Sequence, residues 1–535
     1  MINQIVILSG HIGTGKTTLA NKLESEFDFR HVKTRDFLQA RWQEIRLERA
    51  ALQAFGEKLD HRTGGAWVVE DLEHFSRTFT ECKSIVLDSV RHPGQINALR
   101  AAYGRKVIHI HLEADIAELD SRYRQRKTDI KELPSYTLAQ QNRTERTVNR
   151  LSKLADVVIR TDRCTPEDVL VRVASHIGCY GRECLKLVDV LVGGQYGSEG
   201  KGQVAAYMSS EYDFLVRVGG PNAGHKVKVG NSVFTFRHLP SGTLSCNAKI
   251  IIGAGAVLHV PTLLEEIAAC GIEAERLSID PQAMIISQRD RTNETSLKAN
   301  IGSTGQGVGF ATARRIMQRG ERTIKLARDV RELKPFIHET GHIFEKAFSQ
   351  GKRVFLEGTQ GTGLSLFHGF YPHVTSRDTT VNGCLAEAGI SAIRVRKVVM
   401  VCRTYPIRVM SPSGPGKTSG YMSRELSWKE IERRAHAIEG EFSALEKGSV
   451  SHNLRRVAEF DWVLLRRAAS LNAPTDIALT FADYISKKNS EAHRFEQLTP
   501  ATIRFIEEVE KVASAPVTLI STKFHTRGII DRRAW

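Results

Sequence analysis

Leu187-Val188-Asp189-Val190-Leu191-Val192-Gly193-Gly194-Gln195-Tyr196-Gly197-Ser198-Glu199-Gly200-Lys201-Gly202-Gln203 is the stretch from which the fold of this chain is read. A mainly apolar run, as a buried strand requires, leads directly into a glycine-rich loop. Glycines let backbone amides approach an anion, and a lysine adds a point charge. The loop is not a Walker A loop, because Gly202 stands where Ser or Thr should follow the lysine. A second loop, Gly10-His11-Ile12-Gly13-Thr14-Gly15-Lys16-Thr17, does fit that pattern, between a strand over Gln4 to Leu8 and a helix starting near Thr17. There Gly10, Gly13 and Gly15 shape a cradle closed by Thr18, Lys16 is placed for the β- and γ-phosphates, and Thr17 for Mg²⁺.

Working outward, short apolar runs alternate with amphipathic stretches. Ile5–Leu8, Ile85–Leu87, Val107–Ile110 and Val157–Ile159 are strands of a first part. Val188–Val192, Phe214–Val218, Ile250–Ile252, Val354–Leu356, Val398–Val401, Ile477–Leu479 and Val517–Ile520 follow. Short buried strands separated by helices predict α/β architecture with parallel sheets. Each phosphate loop begins its own series, so two domains are predicted, 1–180 and 186–535, with the boundary at 178–186. The first is a P-loop, kinase-like parallel sheet, and the second an α/β domain with a large, mainly parallel sheet. There is no internal repeat. Gly414-Pro415-Gly416-Lys417-Thr418 looks like another Walker loop but has Ser411 at its first glycine position and no strand leading in, so it reads as a loop.

The totals fit this reading. With 535 residues, 41% hydrophobic and 25% charged, the chain has the composition of a globular protein of more than one domain. No apolar run approaches the roughly 20 residues that span a bilayer. The eight cysteines are scattered and lack metal or redox spacing, which predicts reduced thiols in the cytoplasm. A net charge of +16 suits anionic nucleotides or a solvated basic surface; without a basic-aromatic module, nucleic acid is not the expected partner.

In the first part, Ser84-Ile85-Val86-Leu87-Asp88 is a strand ending in an acid, as a Walker B element does, and Arg91 follows. Arg122 and Arg126 stand four apart, on one helical face suited to clamping phosphates or to facing solvent. Asp36 could orient an acceptor. With the terminal strand Ala155-Asp156-Val157-Val158-Ile159-Arg160-Thr161-Asp162, these motifs resemble the nucleoside-monophosphate kinase group.

The second part closely resembles the adenylosuccinate synthetase family, in its short archaeal and phage-type form. The first loop is followed by Asn222-Ala223-Gly224-His225, matching the family's Asn-x-Gly-His. By this resemblance His225 stabilises a phosphoryl group moving from a nucleoside triphosphate, ATP or GTP, to the purine 6-oxygen. Lys201 and Gln360 are catalytic with His225, Gly197, Glu199, Gly200, Gly202 and Asn222 bind nucleotide, and the Gly224 carbonyl helps hold Mg²⁺. Ile301-Gly302-Ser303-Thr304-Gly305-Gln306-Gly307 resembles the 5′-phosphate segment, placing Ser303 and Thr304, and Arg315 follows where the family reaches into a partner subunit, implying a homodimer. Gln360, in Glu357-Gly358-Thr359-Gln360-Gly361, and Thr375 match further nucleotide contacts, and Asp483 the contact to the triphosphate's base.

Three positions depart from the family's pattern. Its catalytic aspartate, which removes the purine N1 proton, is here Ser198; the phage 2-aminoadenylosuccinate synthetases, which act on dGMP, share this change. Its aspartate-binding loop, Thr-x-Thr-Gly-Arg-x-Arg-Arg, is here Ser449-Val450-Ser451-His452-Asn453-Leu454-Arg455-Arg456; Ser451, Asn453, Arg455 and Arg456 are the second-substrate residues it implies. Its Ser-Thr-Gly-Pro is here Ser521-Thr522-Lys523-Phe524. Three readings follow: a bifunctional enzyme joining a 6-oxopurine nucleotide (dGMP, GMP or IMP) to L-aspartate beside a P-loop kinase; a ligase-inactive nucleotide sensor gating that kinase; or a nucleic-acid-binding protein.

Overall fold

The computed structural model describes residues 2–42, 49–78, 83–125, 135–141, 143–180, 184–321, 323–446 and 454–533. The chain forms two compact units, Met1–Arg182 and Glu183–Trp535.

In the first unit, β1 (Ile5–Gly10), β2 (Phe29–Lys33), β3 (Ser84–Asp88), β4 (Val107–Glu113) and β5 (Val157–Arg160) make a wholly parallel sheet in the order β2-β3-β1-β4-β5. Every residue of β1 is buried. Its side chains alternate, Ile5 and Ile7 entering one core and Val6 and Leu8 the other, as the period of two demands. The chain leaves the carboxyl end of β1, between β3 and β4, through Gly13 (φ 87°) and Gly15 (φ 85°) into α1 (Lys16–Phe27). Those left-handed turns are open to glycine without strain.

The second unit is built on a nine-stranded sheet. From edge to edge its strands are Leu277–Ile279, Lys249–Ile252, Phe214–Arg217, Val354–Glu357, β6 (Val188–Gly193), Val395–Arg403, Asp476–Thr480, Val517–Ser521 and Ile529–Asp531. All pairings are parallel except the last. β6 is buried throughout: Val188, Val190 and Val192 fill one core and Leu191 the other. The α/β class and the largely parallel sheets are as the sequence predicts. Three strands of these two sheets escape the sequence reading: Phe29–Lys33, Leu277–Ile279 and Ile529–Asp531. The first lies at a sheet edge and is mostly polar, and the other two are three residues long.

The Gly414–Thr418 segment is a loop. The cysteines at 164, 179, 184, 246, 270, 384 and 402 are free thiols. Among the described residues no helix is long and apolar enough to cross a membrane.

Candidate functional site

In open parallel sheets ligands bind beyond the carboxyl ends of the strands. Four neighbouring strands of the second unit place polar groups there: Arg217, Glu357, Arg403 and Thr480 each end a strand and each is buried. The loop after β6 enters helix Lys201–Met208 among them.

The loop is closed on itself. Glu199, wholly buried, accepts hydrogen bonds from the backbone amides of Gln195 (3.1 Å) and Gly197 (2.8 Å) and pairs with the buried Lys201 ammonium. The amides that the sequence offers to a phosphate are therefore occupied by the protein's own carboxylate. Close packing demands the surrounding glycines: a Cβ on Gly361 would lie 2.3 Å from the Glu199 carboxylate, and one on Gly202 2.9 Å from the His225 Cβ. Ser198 sits on top, exposed, at φ 59°, its carbonyl accepting from Arg403 at 3.2 Å. A non-glycine residue held left-handed is strained, and such residues cluster at functional sites. Gln360, also left-handed at φ 58°, belongs to the facing loop and accepts from the Thr359 hydroxyl at 2.7 Å.

His225 begins the hairpin His225–Val229/Ser232–Phe236, next to Asn222 and Gly224. Its Nδ1 donates to Glu357 at 2.5 Å. Glu357 also accepts from Arg217 (2.6 Å) and from the amide (2.7 Å) and hydroxyl (2.5 Å) of Ser241. Burial, opposed by Arg217, His225 and Ser241, leaves the Glu357 carboxyl at about 2. Burial, with the Arg217 charge, pushes the His225 imidazole down to about 4. His225 is thus neutral at rest, with Nδ1 as donor and Nε2 outside this network. An anionic phosphoryl group at Nε2 would reverse the balance and draw a proton onto the ring. Arg217, Ser241 and Glu357 were not among the residues singled out from sequence, and the signal available was a single charged residue ending a buried strand.

A second network holds Arg403. It donates to Glu446 at 2.6 Å, lies 3.9 Å over the Phe481 ring, and shares Glu446 with Tyr484 (3.0 Å) and Arg455 (3.8 Å). Arg455 therefore stands one carboxylate away from the arginine that holds Ser198. Arg456, its sequence neighbour, is committed elsewhere: to Glu425, to the Ser419 hydroxyl and to the Gly420 carbonyl. Ser451 and Asn453 lie outside the described residues. Beside this network, burial pushes the Asp483 carboxyl up to about 7.

The 5′-phosphate segment follows the same pattern as the loop. Glu294 accepts from the amides of Gly307 (2.5 Å) and Gly309 (2.7 Å), so these amides serve a protein carboxylate. Ser303 accepts from Gly305, whereas the Thr304 hydroxyl, the Asn222 side-chain oxygen and the Ser376 hydroxyl are buried without protein partners and would be satisfied by a ligand. The Thr375 amide donates to the Leu364 carbonyl. Arg315 donates to the Gln282 carbonyl of its own chain at 2.7 Å.

In the first unit a cavity of about 720 Å³ opens over Gly13, Gly15, Lys16, Thr17 and Thr18. Lys16 donates to the carbonyls of Gly10 (2.8 Å) and His11 (2.7 Å). The Thr17 hydroxyl donates to Asp88 at 2.7 Å. Asp88 is buried, yet His31, Lys16, Thr17 and Ser89 outweigh the burial and hold its carboxyl at about 2. A hydroxyl beside an ionised carboxylate is the donor set Mg²⁺ takes when phosphates and water complete its shell. Arg91 lines the same cavity, and Arg122 reaches the Gly13 carbonyl (3.3 Å) and Thr161 (3.0 Å). The helix carrying Arg122 ends at Arg124, and Arg126 lies outside the described residues.

Comparison with known proteins agrees with the second unit. The family model "Adenylosuccinate synthetase" matches residues 190–334 and 329–490. Adenylosuccinate synthetase of Methanocaldococcus jannaschii is 37% identical over 353 residues, 64% of this chain and 96% of that protein. That of Pyrococcus horikoshii is 36% identical over 354 residues, covering 64% and 98%. Among solved structures, a cyanophage S-2L succinoaminodeoxyadenylate synthetase bound to dGMP and dATP has TM-score 0.55 and 26% identity, covering 65% of this chain and 96% of that one. The Plasmodium falciparum adenylosuccinate synthetase shares the fold, with TM-score 0.56 and 22% identity, covering 65% of this chain and all of that one. A family model matched over more than half of the chain and relatives covered almost end to end lead to one conclusion: this chain belongs to the adenylosuccinate synthetase family of C–N ligases.

Proposed function

We propose that the second unit joins a guanine nucleotide, dGMP or GMP, to L-aspartate through a 6-phosphoryl intermediate, and that the first unit is a nucleotide kinase fused to it. The observation that carries the ligase reading is Ser198: a small neutral side chain, held exposed and left-handed, in a site whose Lys201–Glu199 and His225–Glu357 pairs are complete. A carboxylate at position 198 suits a ring edge bearing N1–H alone. A serine leaves room for the 2-amino group beside it. The cyanophage relative bound to dGMP supports that direction.

The steps follow from the residues. The N1 proton passes to water or to a substrate phosphate oxygen, since a serine hydroxyl without a partner is a poor base. The 6-oxygen attacks the γ-phosphorus, and the bond to the β-phosphate oxygen breaks, releasing the nucleoside diphosphate. The amine of aspartate then attacks C6, and the 6-oxygen leaves with the phosphate. With the anionic phosphoryl group beside it the His225 ring takes up a proton from solvent and donates from Nε2 to that group, and Glu357 stabilises the resulting imidazolium. Lys201 supplies a fixed positive charge. Mg²⁺, which the Gly224 carbonyl would help hold together with phosphate oxygens, neutralises triphosphate charge when bound. Arg455 is the described cation placed for the carboxylates of aspartate. In this reading Asp483, its carboxyl pushed up to about 7 by burial, contacts the base of the triphosphate, GTP or ATP. A homodimer belongs to the same reading: Ile316 and Met317, 58% and 82% exposed at the end of helix Val308–Met317, are the apolar surface a second copy would cover.

The test is turnover of dGMP, GMP and IMP with aspartate, Mg²⁺ and ATP or GTP, followed by mass spectrometry for the succinylated nucleotide. The wild type is expected to favour the guanine nucleotides, and Ser198→Asp to shift preference toward IMP by about tenfold or more, as a lost or gained edge contact does. Adducts formed from IMP alone would remove the guanine reading.

A further inference from the structure

The cavity of the first unit has a wall that phosphate binding does not use. Helix Arg49–Thr63 lines it with Gln53, Gly56, Glu57 and Asp60, spaced i, i+3, i+4 and i+7 along one face. Both polar atoms of the Gln53 amide are buried and have no protein hydrogen-bond partner. A buried amide left unpaired opposes folding, and its presence in a ligand-sized cavity marks a group kept for a ligand. Asp60 is fixed in place, accepting from the Trp67 indole (2.7 Å) and the Gln95 amide (2.9 and 3.1 Å). Gln95 in turn accepts from the backbone amide of Arg91 (3.2 Å), on the loop that follows Asp88. Leu38 and Leu52 give the same cavity apolar surface suited to a flat ring.

The walls therefore divide chemically. Lys16, Lys33, Arg35, Arg91 and Arg122 are cations that line the cavity, whereas the helix contributes an amide and two carboxyl side chains. A ligand that satisfies both carries a phosphate and a ring edge that donates hydrogen bonds. An amide side chain pairs bidentately with an amine next to a ring acceptor, and carboxylates take amine and N–H donors. The carbonyl-rich edge of thymine would instead face carboxylate oxygens.

We propose that Gln53 and Asp60 select a nucleoside monophosphate whose base carries an exocyclic amine, as adenine, guanine and cytosine do and thymine does not, as the phosphate acceptor of the first unit. This rests on the kinase reading of that unit. An oxygen of the acceptor's phosphate attacks the γ-phosphorus of a nucleoside triphosphate; the bond between the γ-phosphorus and the bridging oxygen breaks, and the electron pair leaves on the β-phosphate of the diphosphate product.

The test uses the full chain with γ-labelled ATP, Mg²⁺ and dAMP, dGMP, dCMP or TMP, reading labelled diphosphates, together with calorimetric binding of the same four to the wild type. The amine-bearing dAMP, dGMP and dCMP are expected to bind and react at least about tenfold better than TMP, the discrimination one bidentate pair provides. Gln53→Leu and Asp60→Asn are expected to raise KM for the amine-bearing acceptor by about tenfold while leaving KM for ATP unchanged. TMP binding and reacting as well as the amine-bearing acceptors, with Gln53→Leu leaving acceptor KM unmoved, would overturn the selectivity while Lys16-dependent transfer still stood. Absence of transfer to every monophosphate, or transfer that survives Lys16→Ala, would overturn the kinase reading and the proposal with it.

Discussion

The two glycine loops of this chain look alike in sequence and differ in what their charges do. In the first, Lys16 rests on loop carbonyls, and Asp88 approaches from a neighbouring strand to take the Thr17 hydroxyl. Residues Gly13 to Thr18 of that loop line a cavity. In the second, Glu199 belongs to the loop itself and fills it, taking two amides and the Lys201 ammonium. Glu294 does the same for the turn at Gly307 and Gly309. A glycine-rich loop is thus either an open anion cradle or a closed platform. The first kind binds a phosphate with its backbone; the second presents a side chain, here Ser198, at a fixed place.

The sharpest way to break that comparison is to disable each centre in turn. His225→Ala is expected to lower ligation by about 10³, within the range for losing a proton-donating group, and to leave phosphate transfer by the first unit intact. Lys16→Ala is expected to do the reverse. Parallel assays of succinyl adduct and of triphosphate consumption without aspartate separate the two. Loss of both activities in either variant would contradict independent centres.

A closed platform should also be a stability element. Glu199→Gln leaves the Lys201 charge buried without its partner, and breaking a buried pair costs about 3–5 kcal/mol. Calorimetry of this two-unit chain should show a lowered unfolding transition of the second unit and an unchanged first. In the open loop, Thr17→Val should move its transition much less, by about 1 kcal/mol, since it removes one hydrogen bond.

A further effect is one the two units share. Burial holds His109 near 4 and His111 near 3 in the first unit, and His225 near 4 and His238 near 3 in the second. Each folded value lies below the ordinary 6.5, so between 6.5 and the folded value the unfolded chain binds more protons. Stability is full above about pH 6.5 and falls as pH drops toward 4. Both thermal transitions should decline together when scanned from pH 7.5 to 5, and a second unit indifferent to pH would place His225 outside its buried network.

Much of this was legible in the sequence because apolar runs and glycine loops are local signals. Ile5–Leu8 and Val188–Val192 declare buried parallel strands, and Gly10–Thr17 declares a phosphate loop, from neighbouring residues alone. What was not legible is partnership across distance. Glu357 lies 132 positions from His225, and Asp88 71 from Thr17; only the sheet order brings them together. Arg455 and Arg456 are adjacent and chemically identical, yet one faces Glu446 in the site and the other Glu425 on a small sheet, because successive residues of an extended segment point to opposite sides. The occupation of the Gly197 amide by Glu199 is local, but the same residues could have formed an open loop.

The central claim is that the second unit activates a purine 6-oxygen by phosphorylation. It is tested most directly by following that oxygen. With dGMP labelled with ¹⁸O at position 6, aspartate, Mg²⁺ and a nucleoside triphosphate, the label is expected to appear in inorganic phosphate, one atom per succinylated nucleotide formed, and to disappear from phosphate in His225→Ala. Succinylated product accompanied by unlabelled inorganic phosphate would contradict it.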